Sequence, residues 1–133
     1  MFHIAPMVVL MGLLVATSVG DQLDPKIPPA DREKYQSVRD AKDWQNPYLV
    51  IGADGIGIFS KAVPKGRKTV PVADLRRTLL SLPVDAWPYG RVIAIQEAGI
   101  RSGDDAKVIE QSKGKAEQVI KGLRVKLEWW PSA

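Results

Sequence analysis

The chain contains no cysteine, and its one histidine is His3. Without thiols it has neither a disulfide framework nor a thiolate metal site. With the histidine confined to an apolar start, the remainder can build neither a Ser-His-Asp triad nor a multi-histidine zinc site. A dense basic stripe interleaved with aromatic residues is also missing, although the formal net charge is +4. Lys65-Gly66-Arg67-Lys68 is the one basic cluster, and a short charge run of this kind reads as a solvated loop. Nucleic acid is therefore not an expected partner. Finally, no Asp, Glu, Lys or Arg occurs between Met1 and Gly20.

That uncharged start, HIAPMVVLMGLLVATSVG over residues 3–20, is the most distinctive stretch present. A spanning helix needs about 20 apolar residues, because each adds about 1.5 Å toward a hydrocarbon core about 30 Å thick. The length fits a span. A secretion signal would carry basic residues ahead of its apolar core, and none is there. Ala16-Thr17-Ser18 and Ser18-Val19-Gly20 are acceptable small-residue cleavage sites, so a cleaved signal stays open beside the span. The charges that follow are of both signs, and the positive-inside rule arbitrates poorly.

Residues 21–46 read as a polar linker. Pro25, Pro28 and Pro29 forbid a continuous helix and favour extended backbone. Leu23 and Ile27 are the only apolar side chains in the first half of this tether. Residues 30–43 suit a short polar helix with Tyr35, Val38 and Ala41 on one face.

A folded domain is expected over residues 47–133. Tyr48 to Gly52 is a short apolar run, Asp54-Gly55 is a hairpin signal, and Ile56 to Phe59 returns. Pro71 opens a helix carrying Val72, Leu75, Leu79 and Leu82, which Pro83 ends. Arg91 to Gln96 reads as a buried strand. Ser102 to Asp105 cap a second helix over residues 104–121, with Ala106, Ile109, Ala116 and Ile120 near one face and Gly122 as its stop. The last strand alternates, with Val125, Leu127 and Trp129 on one side and Arg124, Lys126 and Glu128 on the other. The predicted order is ββαβαβ, an α+β fold with two helices packed on one face of a sheet.

Chemistry is sparse in this layout. Asp104 and Asp105 suit a helix start, where carboxylates complement the dipole. Asp54 serves turn geometry. Glu97 lies at a strand end, where α/β proteins keep functional groups, but it stands alone. Gly52, Gly55 and Gly57 do not follow the dinucleotide-binding order and lie in a hairpin. Trp129 is expected to be half-buried, and Trp44 and Trp87 to lie on loops without a cage of partners. No nucleophile–base pair, metal site or cofactor site emerges, so the domain reads as non-enzymatic.

The order and spacing of these stretches resemble the ExbD/TolR family of biopolymer-transport proteins. The segment from Tyr48 to Phe59, with Asp54-Gly55 at its turn, is similar to the family's first hairpin. Val72-Ala73-Asp74-Leu75 is similar to its first helix, and Arg91 to Glu97 to its central strand ending in an acid. The stretch Leu23, Pro25, Ile27 and Pro28 is similar to its segment just outside the membrane. In the apolar start, Pro6 and Met7 match the family's Pro-Leu, and Val9 stands where the family has an intramembrane aspartate linked to proton flow.

The resemblance implies a single-pass protein of the bacterial inner membrane with its C-terminal domain in the periplasm. Its implied partners are an ExbB/TolQ-like polytopic subunit, a second copy of itself, and a TonB/TolA-like protein or peptidoglycan. It implies no cofactor. Valine binds no proton, so the departure at Val9 implies an accessory role in a proton-motive-force-driven transport complex. The alternative reading is an exported or anchored envelope-binding module without a motor.

Overall fold

The computed structural model describes residues 22–99 and 102–130. The expected apolar segment 1–20, with Pro6, Met7 and Val9, lies outside the described residues. Among the described residues no helix is long and apolar enough to cross a membrane.

The domain is α+β, built on one mixed sheet. Its strands are β1 (Tyr48–Gly52), β2 (Gly55–Phe59), β3 (Arg67–Val70), β4 (Val92–Glu97) and β5 (Lys126–Trp129). The spatial order is β3-β2-β1-β4-β5. β1 pairs antiparallel with β2 and β2 with β3, whereas β1 and β5 both run parallel to β4. Two α-helices, α1 (Leu75–Leu80) and α2 (Gly103–Gly122), contribute to the core on one face.

The alternation written in the sequence builds this core. Leu49 and Ile51, Ile56 and Ile58, and Ile93 and Ile95 point to the helix side and are fully buried. Leu75, Leu79, Ile109, Ala116 and Ile120 meet them from the helices. A 3-10 turn, Val72–Asp74, precedes α1, with Pro71 as its cap residue. The Ser102 hydroxyl accepts from the Asp105 N–H at 3.1 Å and caps α2, which leaves Asp104 and Asp105 in the first turn where the dipole favours them.

Several expectations need correction. The order is βββαβαβ, because Arg67–Val70 forms a strand where the sequence suggested a solvated loop. Only Val70 of its four residues is buried, so no alternation marks it; a charged edge strand is a common guard against further pairing. The polar helix over 30–43 is replaced by two 3-10 turns, Arg32–Lys34 and Ala41–Asp43. Trp44 and Trp87 are buried rather than free on loops, whereas Trp129, 43% exposed, is about half-buried as expected.

The stretch read as a tether lies against the domain. Leu23 and Ile27 are buried in the helix-side core. Pro29 bridges Arg91 in parallel, and the Arg91 N–H donates to the Pro28 carbonyl at 3.0 Å. The Arg91 guanidinium donates to the carbonyls of Ile27 at 3.0 Å and Asp24 at 3.4 Å. Gly90 lets this strap approach. It has φ +85°, and a Cβ there would stand 2.3 Å from the Pro29 carbonyl oxygen. Asn46, 2% exposed, fixes the Tyr89–Val92 stretch against which the strap lies. Its amide donates to the Gly90 and Val92 carbonyls, both at 2.8 Å, and its oxygen accepts from the Tyr89 N–H at 2.7 Å.

Candidate functional site

The strand directions place Asp54 and Glu97 at one end of the sheet, since β1 and β4 are parallel neighbours and Ile51 pairs with Glu97. From here the chain leaves β1 toward β2 and leaves β4 toward α2, so the strand order reverses between them. Ligand sites of open sheets favour such a switch point. A cleft of about 350 Å³ opens there, lined by Val50, Gly52, Asp54, Gly57, Phe59 and Asp105 among others.

Local geometry explains the floor of this cleft. Even-numbered β1 residues and odd-numbered β2 residues face away from the helices, and three of them, Gly52, Gly55 and Gly57, are glycines. The hairpin needs Gly55 itself: φ is +141°, and a Cβ would stand 2.8 Å from the Val70 carbonyl oxygen on β3. Asp54 and Asp105 therefore share one rim, although 51 positions separate them in the chain.

Glu97 does not join them. Its side chain lies on the helix side and pairs with Lys113 of α2 at 3.4 Å. The same ammonium stands 4.9 Å from the centre of the Trp129 ring. Of the expected linker positions, Leu23 and Ile27 are buried in the core, whereas Pro25 and Pro28 are exposed on the strap.

The second sheet face carries a continuous run of rings that the sequence did not announce. Trp44 meets Tyr89 at 5.0 Å, Tyr35 at 5.3 Å and Trp130 at 5.8 Å between centres, each roughly edge to face or T-shaped. Trp130 meets Tyr48 at 5.7 Å, and Tyr48 meets Phe59 at 5.8 Å. Burial pushes the Tyr48 hydroxyl pKa up, and that hydroxyl donates to Gln96. At the edge of the run the Tyr35 hydroxyl donates to Glu128 at 3.3 Å. Lys126, 3.4 Å from Glu128, has its pKa raised by hydrogen bonding to Tyr35 and then by Glu128.

Chemically, the cleft offers two carboxylates above a floor of glycine, valine and phenylalanine. That set accepts hydrogen bonds and attracts cations. Among the described residues no three His, Cys, Asp or Glu side chains gather as a metal-binding group. Neither a protein-family model, nor a curated protein, nor a solved structure matches this chain.

Proposed function

We propose that this chain is a membrane-anchored, non-enzymatic envelope protein, an accessory ExbD/TolR-like subunit of a proton-motive-force-driven transport complex. The observation that carries the reading is the juxtaposition of an uncharged segment long enough to span with a small α+β domain. The domain's hairpin, central strand and closing strand come in the order the resemblance implies. Val9 in the family's acidic position supports an accessory role, because a valine relays no proton. The ion pair that engages Glu97 with Lys113 supports a structural use of that acid.

The test is membrane extraction followed by co-purification. Full-length protein should resist carbonate washing and bring down a polytopic ExbB/TolQ-like subunit. A product cleaved near residue 20, or a protein that stays monomeric without any membrane partner, sinks the proposal.

The docked strap favours a second reading, an anchored envelope-binding module without a motor. Leu23 and Ile27 are buried, so only a few residues lie in sequence between the apolar segment and the first docked side chain. A short link suits a module held at the membrane better than one that reaches across an envelope. Binding of the full-length protein to cell-wall sacculi, undiminished by loss of the polytopic partner, would select this reading.

A further inference from the structure

An acidic cluster and a basic cluster lie at opposite ends of the sheet along the strand direction, with Arg76, Arg77 and Lys107 set apart on the helices. At the carboxyl end of β1 and β4 lie Asp54, Glu97, Asp104 and Asp105. At the opposite end lie Lys61 and Lys65 of the β2–β3 connection, Arg67 and Lys68 at the start of β3, Lys121 in the last turn of α2 and Arg124 of the α2–β5 connection. All six of these basic residues are exposed. Asp24, Asp85 and the turn of Asp40, Lys42 and Asp43 beside Lys61 share that end, and they leave it in net excess of positive charge.

The strap enters at the same end. Gln22 shares a small cleft with Gly122, Leu123 and Arg124, and Leu23 is already 4% exposed. Three residue steps separate Leu23 from Gly20, where the uncharged stretch ends. Extended chain covers only about 10–11 Å in three residues, close to the Debye length of about 8–10 Å at physiological salt. A domain on so short a link, with its basic end next to the entry point, keeps those charges within range of a headgroup layer.

We propose that the Lys61–Lys68 and Lys121–Arg124 end of the domain rests on an anionic bilayer surface, held in that orientation by the docked strap. The inference rests on the reading of residues 1–20 as a membrane anchor. Polybasic surfaces bind anionic lipid through additive, salt-sensitive attraction. The acidic cleft around Asp54 and Asp105 then faces away from the membrane, where a partner can reach it.

The absence of cysteine makes the test direct. Full-length Ala62→Cys and Gly103→Cys proteins each carry one thiol for a fluorophore, the first at the basic end and the second at the acidic end. Each is inserted into phosphatidylcholine vesicles with or without phosphatidylglycerol, containing a headgroup-labelled nitroxide lipid that quenches at short range. With anionic lipid, quenching at position 62 should exceed that at position 103 by about threefold or more. The contrast should collapse near 1 M salt, where the Debye length falls to about 3 Å. Lys65→Glu with Lys68→Glu, both exposed changes, should reduce it in the same way.

Equal quenching of both labels in protein that floats with the vesicles through a carbonate wash overturns this inference and leaves the anchor reading intact. Protein that fails to float with neutral vesicles overturns the anchor reading and this inference with it.

Discussion

The two faces of the sheet are built on different principles. The helix side is aliphatic, with Leu49, Ile51, Ile56, Ile58, Ile93 and Ile95 fully buried beneath α1 and α2. The other side is aromatic at one end, where Tyr35, Trp44 and Tyr89 cover Tyr48 and Trp130. At its other end it is open, over Val50, Gly52 and Gly57. The first face holds the fold by area removed from water. The second joins distant segments through ring edges and a few buried hydrogen bonds, and it leaves room for a ligand. The aliphatic core and the open cleft thus lie on opposite surfaces of one sheet.

The sharpest way to break this comparison is to truncate neighbours that point opposite ways. Leu49→Ala removes a fully buried side chain from the helix side and should cost about 2–5 kcal/mol in urea unfolding. Val50→Ala, next in the chain and only half-buried on the open face, should cost under about 1 kcal/mol. Equal losses would mean that both faces are packed alike.

Gly90→Ala attacks the strap without touching either face. The positive φ alone costs a non-glycine residue about 1–3 kcal/mol, and the new methyl meets the Pro29 backbone. Amide exchange at Ile27 should accelerate well ahead of exchange at Ile95. Uniform acceleration would show that the strap and sheet open as one unit.

A double-mutant cycle on Tyr35→Leu and Trp44→Leu measures the ring contact itself. Coupling of about 0.5–1.5 kcal/mol is expected for their T-shaped pair. A value near zero would reduce the aromatic face to simple area burial.

Smaller still is the contribution of Lys113, which pairs with Glu97 and covers Trp129 at a partly exposed position. Lys113→Met should change stability by no more than about 1 kcal/mol. A larger loss would make this pair part of the core.

The alkaline limb comes last. Tyr48 and Lys126 both have raised folded-state pKa values, from burial and from hydrogen bonding to Tyr35 respectively. Their contribution is fully present below the unfolded values of about 10 and 10.4 and is lost as pH rises through the folded ones. Stability should decline gently above about pH 10, and less so in Tyr48→Phe.

Legibility followed the same division. β1, β2 and β4 showed in short apolar runs, and α2 in its apolar spacing, because each buries one side against a continuous core. The Asp54-Gly55 turn showed because few residue pairs fit such a hairpin. β3 did not show, since an edge strand with one buried residue has no period to read. The meeting of Asp54 with Asp105 was hidden because β2, β3, α1 and β4 intervene between them. Nor could the sequence tell Trp129 from Trp130: they are adjacent, yet the first projects beside Lys113 at the exposed edge and the second turns onto the aromatic face.

By itself the sequence determined the α+β class, the aliphatic core, the principal strands and α2, because local periodicity and turn chemistry act within a few residues. It also removed thiol chemistry outright and histidine chemistry beyond residue 3. Tertiary structure alone decided that the proline-rich stretch is a docked strap. Its apolar content is two side chains, Leu23 and Ile27, too few to announce burial. They are held because Gly90 and Arg91, far along the chain, offer an open backbone and a guanidinium at the place where the strap passes.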